Sequence, residues 1–296
     1  MPRQSGGMLL EMMLAMTLGL LAIALSIGGV HYFHERLAQS QQQLEREQDA
    51  HYALQQMGRD LRMAGRFGCA SVPLSAEEGA PQGAQLLQLR FGRQALAITR
   101  LAVDHAGHLS ELRLRAPTEA EWRDWRELVL ASCLQRHELR LSAPGASLQH
   151  HPEGLRLQLA APQAPPVAID AAQPGQHLPS LGVWLPAAHR YFLSGAGDGR
   201  QLWRSRQLAG AEAEPPALLL EGVRAFSIRY GVWRGCGTAA SELVELPAAA
   251  LQGDDWKHLR SARLELTLQI REGGQPWTQS LSVALNPVQP CLSASL

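Results

Sequence analysis

Apolar residues fall in three successive patterns along the chain. Met12 to Val30 contains no charged side chain, is rich in Leu, Met, Ala and Ile, and is long enough to span a bilayer as a helix. From His31 to about Ala64 the chain has no proline and is rich in Gln, Glu, Arg and Leu, all good helix formers. Within it Leu54, Met57, Leu61 and Ala64 recur at steps of three and four, so one stripe should pack inward; Leu37 and Leu44 continue it more thinly. Residues 7–64 as one helix would be about 87 Å long at 1.5 Å per residue. Gly19, Gly28 and Gly29 are weak points along it.

After about Arg66 the period changes from helix to strand. Glu111–Arg115 and Leu155–Leu159 alternate apolar and polar, and Ala262–Ile270 does so most clearly. Such alternation gives one buried and one wet face, as in an antiparallel sheet. Tyr191–Leu193 and Gln201–Trp203 flank Ser194–Arg200, which reads as a hairpin with a glycine-rich loop. Residues 143–182 are rich in Pro, Ala, Gly and Gln. They read as loop around one short strand and as a boundary between two sheet regions. A second proline-marked loop covers Ala209 to Ala217. The expected fold class is α+β: a long N-terminal transmembrane and amphipathic helix packed on a mainly antiparallel β domain. Its divisions are a leader at 1–6, a membrane helix at 7–30, an amphipathic helix at 31–65 and a β domain at 66–296.

Composition narrows the function classes. Lys+Arg and Asp+Glu both number 27, which argues against nucleic acid as a primary ligand. Cys69, Cys133, Cys236 and Cys291 stand far apart with no CxxC pair, so a zinc ribbon is not indicated. Four scattered cysteines suit disulfides in an oxidising compartment. Arg3 and the starting amine should keep the N-terminus cytoplasmic, with the rest of the chain outside. A cleaved secretory signal would want small residues after the apolar run, where His31-Tyr32-Phe33-His34 stands. A plain signal anchor fits the same segment.

Several stretches imitate chemical sites. Gly195-x-Gly197-x-Gly199 lacks the strand-to-helix setting and the lysine of a nucleotide loop. His105-x-x-His108 and His150-His151 lie in loop-like stretches without a ligand set at metal spacing. No Ser-His-Asp or paired-carboxylate set is evident, and no cofactor is expected. In Glu121–Glu127, acids alternate with arginines around Trp122 and Trp125. It reads as a solvated face with inward tryptophans, or as a partner-binding spot.

Glu11 does not fit a plain anchor. An acid at the edge of an apolar helix is costly and calls for a partner. The run Gly6-Gly7-Met8-Leu9-Leu10-Glu11-Met12-Met13-Leu14-Ala15-Met16 resembles the type IV prepilin signature. In that family a peptidase cuts after the glycine closing the leader and methylates the new amine, and glutamate is the fifth mature residue. Cutting between Gly6 and Gly7 puts Glu11 fifth. Gly7 stands where the family usually has phenylalanine.

A second resemblance covers Gly58-Arg59-Asp60-Leu61-Arg62-Met63-Ala64-Gly65-Arg66-Phe67-Gly68-Cys69. It is similar to the helix end and Gly-Cys turn of PilW-type minor pilins. Gly65 suits the left-handed position that ends a helix. The Gly-Asp hairpin, Glu221-Gly222-Val223, Tyr230-Gly231, Trp256 and the strand at 262–270 follow in that family's order. The likeness covers residues 6–69 and 190–271. It implies a non-catalytic minor pilin that helps initiate a type IV pilus. The implied partners are other minor and major pilins, the prepilin peptidase and the inner membrane, with the C-terminal domain in the periplasm. Alternatives are a minor pseudopilin of type II secretion, a membrane-anchored periplasmic enzyme, or a ligand-binding tip adhesin. Chain order alone favours pairing Cys69 with Cys133 and Cys236 with Cys291.

Overall fold

In the computed structural model the described residues are 7–68, 70–115, 122–131, 136–161, 164–165, 181–235, 242–269 and 275–285. Helix α1 runs Gly7–Met63. Every described side chain from Leu10 to Arg46 is exposed. By length and composition this helix can cross a membrane. A compact unit begins at Ala50, and there the helix changes character. Ala50, Ala53, Leu54, Met57 and Leu61 are fully or almost fully buried. Their spacing of three and four puts them on one stripe, as the sequence pattern requires. Gly58 lies beside this stripe because nothing larger fits: a Cβ there would come within 2.8 Å of Leu281 and 2.9 Å of Val283.

The helix ends at Gly65, whose φ of +71° is the left-handed conformation that glycine adopts without strain. A Cβ at Gly65 would also meet the Val72 carbonyl oxygen at 1.9 Å. Two short strands follow, β1 (Arg66–Phe67) and β2 (Ala70–Ser71), then a single helical turn α2 (Ala76–Gly79) capped by Ser75 and Glu78. The rest is antiparallel strand: β3 (Gln85–Leu96), β4 (Ile98–Val103), β5 (Leu109–Leu114), β6 (Glu127–Ala131) and β7 (Arg136–Arg140). Then come β8 (Ala146–His151), β9 (Gly154–Leu159), β10 (Gly182–Ser194) and β11 (Arg200–Leu208). The last four are β12 (Ala217–Arg234), β13 (Glu242–Pro247), β14 (Leu259–Leu268) and β15 (Trp277–Ala284). The protein is therefore α+β, one long N-terminal helix with a mainly antiparallel β domain.

The large sheet has nine strands in the order β15-β14-β12-β11-β10-β6-β7, with β13 also beside β12 and β3 also beside β10. One face receives the buried stripe of α1. Leu54 and Met57 share a core with Val223, Tyr230, Leu264 and Leu266. Strand β14 alternates as expected: Ala262, Leu264, Leu266 and Leu268 point inward. The second sheet has four strands, β4-β5-β9-β8. It lays Leu112, Leu114, Leu155 and Leu157 against Leu128, Leu130, Val183 and Leu185 of the first.

Residues 143–182 correct the sequence reading twice. They hold two strands rather than one, β8 and β9, paired from Ala146↔Leu159 to His151↔Gly154. His150 and His151 thus lie in a strand, not a loop. Strand β8 pairs on one side only, and its pattern of half-buried and exposed positions gives weak alternation. Nor do the sheets divide there. The chain passes from large sheet to small and back twice, so β4 and β5 of the small sheet precede 143.

Candidate functional site

The apolar segment of α1 contains three polar side chains between Leu10 and Val30. Thr17 donates to the Leu14 carbonyl at 2.9 Å, and Ser26 to the Ala22 carbonyl at 2.8 Å. Both hydroxyls are thus satisfied inside the helix, as an apolar solvent demands. Glu11 is exposed and has no hydrogen-bond or ion-pair partner among the described residues. Past the segment the helix turns polar at once. His31 lies 3.3 Å from Glu35, and Arg36 donates to the Tyr32 hydroxyl at 3.0 Å. Gly6 lies outside the described residues, and Gly7 is the first residue of the helix.

The second site was hidden in the sequence. Asp60 occupies the inner face of the helix end, among Met57, Leu61 and Ala64, and is buried. Three donors converge on one of its oxygens, Oδ2. His189 Nδ1 is 2.6 Å away, the Tyr191 hydroxyl 2.5 Å and Arg204 Nη2 3.2 Å. A carboxylate only accepts, so Nδ1 of His189 carries the proton. Arg204 Nη2 sits 2.8 and 3.3 Å from the two ring nitrogens, against the imidazole rather than in line with it. Gln56, its amide oxygen turned to Arg204, accepts from Nη1 at 3.1 Å and Nη2 at 3.3 Å. Phe91 closes the other side with its ring edge-on to His189, centroids 4.9 Å apart. Arg204 Nε is buried without a partner among the described residues.

Strand geometry explains the convergence. His189 and Tyr191 are two apart on β10 and share its inner face. Arg204 pairs with Tyr191 across the hairpin. The helix adds Gln56 and Asp60, one turn apart. Burial opposes ionisation of Asp60. The hydrogen bonds from His189 and Tyr191 and the nearby charges outweigh it, holding the carboxyl below its usual range. Burial, then the Asp60 charge, pushes the Tyr191 hydroxyl far up. Chemically this is a neutralised anion that ties a helix end to a sheet. It lines neither of two clefts on the domain surface.

The loop at Gly195–Gly199 is a 3-10 turn closing the β10–β11 hairpin, with Gly195 and Gly197 at positive φ. Asp104 accepts from the backbone of Ala106 and His108, and these bonds hold its carboxyl low. His108 Nδ1 is 3.8 Å from it. No group of three metal-binding side chains occurs among the described residues. Trp125 is buried and Trp122 packs on the second core, while Glu121 lies outside the described residues. So do Cys69, Cys133, Cys236 and Cys291. No family model, curated protein or solved structure matches the chain.

Proposed function

We propose that this chain is a minor pilin of the PilW type, a structural subunit that helps initiate a type IV pilus. It would be anchored once in the inner membrane with its β domain in the periplasm. The prepilin peptidase would cut it between Gly6 and Gly7. The observation that carries the reading is Glu11. It is the one polar side chain of the apolar segment without a partner among the described residues, whereas Thr17 and Ser26 are satisfied within the helix. A carboxylate left so in hydrocarbon must be neutralised from outside its own helix face. The resemblance supplies the partner, the amine of a neighbouring subunit.

The test is Glu11→Val in the full chain, followed by co-purification with other minor pilins and a piliation count. The variant should reach the membrane and fail to join its partners. Wild-type assembly by Glu11→Val would defeat the reading. Capture of secretion pseudopilins instead of pilins would move it to the sister system. Intact mass should place the mature N-terminus at Gly7.

The same reading puts the domain in an oxidising compartment, where the cysteines should pair. The described flanks favour Cys69 with Cys133. Phe67 and Ala131, each two residues before one of them, share a small apolar cluster. The Arg136 guanidinium lies 4.7 Å over the Phe67 ring. Non-reducing peptide mapping should recover that pair, and a Cys69–Cys236 peptide would reject it.

A further inference from the structure

Successive residues of β10 face opposite ways. His189 and Tyr191 face Asp60, so Arg190 and Phe192 stand on the other side of the sheet. There a cleft of about 460 Å³ is lined by Gln85, Arg190, Phe192 and Ser205, and by the loop from Ala213 to Pro216. That volume is in the range of small-ligand sites.

Two polar side chains in this cleft lack partners. Ser205 is 9% exposed, and its hydroxyl has no hydrogen-bond partner among the described residues. Arg190 lies directly opposite Ser205 across the hairpin. Its guanidinium has no ion pair among the described residues. Arg190 is itself exposed, and an unpaired guanidinium beside a free hydroxyl at the mouth of a cleft suits an anion. The one acid on the lining, Glu214, is already engaged, taking a hydrogen bond from Arg206 Nε at 2.7 Å. Its backbone is pinned too, with Glu214 N donating to the Arg206 carbonyl at 2.7 Å. The rest of the lining is largely apolar, with Phe192 and the stiff pair Pro215 and Pro216.

We propose that this cleft binds the C-terminal carboxylate of a peptide chain ending in an apolar residue. Arg190 and Ser205 hold the carboxylate, the Gln85 amide meets the last peptide group, and the terminal side chain lies between Phe192 and the two prolines. A ligand without charge would leave Arg190 and Ser205 unpaired. A bare inorganic anion would leave the apolar wall wet. The proposal does not depend on the pilin reading.

Full-length protein in detergent micelles is titrated calorimetrically with N-acetyl-leucyl-leucine and with its C-terminal amide, with the heats of empty micelles subtracted. The free acid should saturate with a Kd on the order of 1 mM or tighter, and the amide should bind at least about tenfold more weakly. Arg190→Gln and Ser205→Ala should each weaken the acid severalfold. Arg229→Gln, on a strand away from the cleft, should not. Equal binding of acid and amide would overturn the proposal. So would an acid that fails to saturate at about 10 mM, or undiminished binding by Arg190→Gln. The acid–amide comparison needs no variant, so a misfolded mutant cannot rescue or sink the result.

Discussion

Two of the carboxylates on α1, Asp60 and Glu11, are treated in opposite ways. Asp60 is buried and takes three donors on a single oxygen. Glu11 is exposed on an apolar surface and takes none among the described residues. The cost of Asp60 is met inside the chain, so removing it should damage the fold. Glu11 takes nothing from the described part of the chain, so under the proposed function a neighbouring subunit meets its cost, and removing it should damage assembly and spare the fold. The burial around them follows the same division. The side chains are exposed from Leu10 to Arg46 and carry an inward stripe from Ala50 to Leu61.

The largest expected effect is that of Asp60→Ala. It leaves His189, Tyr191 and Arg204 pointing at an empty place. Breaking a buried pair by deleting one partner costs about 3–5 kcal/mol. Arg204 is a quarter exposed and can recover some hydration, so the lower end applies. Urea unfolding of the full chain in detergent, followed by tryptophan fluorescence, measures it. A loss below about 1 kcal/mol would mean that water or Gln56 replaces the carboxylate, and the cluster would not be the tie described above.

Next comes the apolar stripe. Leu54→Ala should cost about 2–5 kcal/mol, because its whole side chain is buried against the sheet. Leu21→Ala, on the exposed part of the helix, should change the same midpoint by less than about 0.5 kcal/mol. Equal effects would erase the distinction between the two parts.

Much of this division was legible in the sequence. The uncharged run at Met12–Val30 follows from length and composition, and the stripe of Leu54, Met57, Leu61 and Ala64 and the alternation at Ala262–Leu268 each follow from one period. Gly65 was legible from chemistry alone, as a glycine at the end of a helical pattern. The Asp60 site was not, because its partners lie 129, 131 and 144 residues away and long-range pairing leaves no periodic trace. Asp60 also sits between Arg59 and Leu61 in a charged run that reads as a solvated helix end. One local signal existed. Counting from Ala53 and Met57 in steps of four and three lands on Asp60, an acid on the inward stripe. Strand β8 was missed for another reason. It pairs along one edge only, and its identity comes from β9 rather than from its own residues.

A smaller effect separates the Asp60 carboxylate from the other acids by pH. Its folded value lies below the usual 3.8. A group depressed in the folded state stabilises above its unfolded value and loses that stabilisation as pH falls through the folded one. Asp104, Glu111, Asp254 and Asp255 are depressed as well, so acid should weaken the wild type through several groups at once. The difference between wild type and Asp60→Asn cancels them. Below about pH 5 that difference should shrink, as protonation makes Asp60 resemble the amide. A difference that grows on acidification below about pH 5 would have the wrong sign for a depressed carboxyl.

The smallest effect on stability, and the sharpest contrast with Asp60, belongs to Glu11→Gln. The side chain touches no described partner, so the unfolding midpoint of the β domain should shift by less than about 0.5 kcal/mol. Membrane accumulation should hold or rise, since a neutral amide is cheaper to bury than a carboxylate. Gln keeps the length and most of the hydrogen-bonding capacity of Glu but not the charge. If the proposed partner is an amine, the charge is what it requires, and losing it strands a cation in an apolar bundle at a cost of about 3–5 kcal/mol. Glu11→Gln should then fail to co-purify with partner pilins as fully as Glu11→Val does, with both domains folded. If Gln assembles and Val does not, a hydrogen bond and not an ion pair is what Glu11 supplies. If Gln lowers the unfolding midpoint by as much as Asp60→Asn, Glu11 has a partner within its own chain, and Glu11 and Asp60 are not opposites.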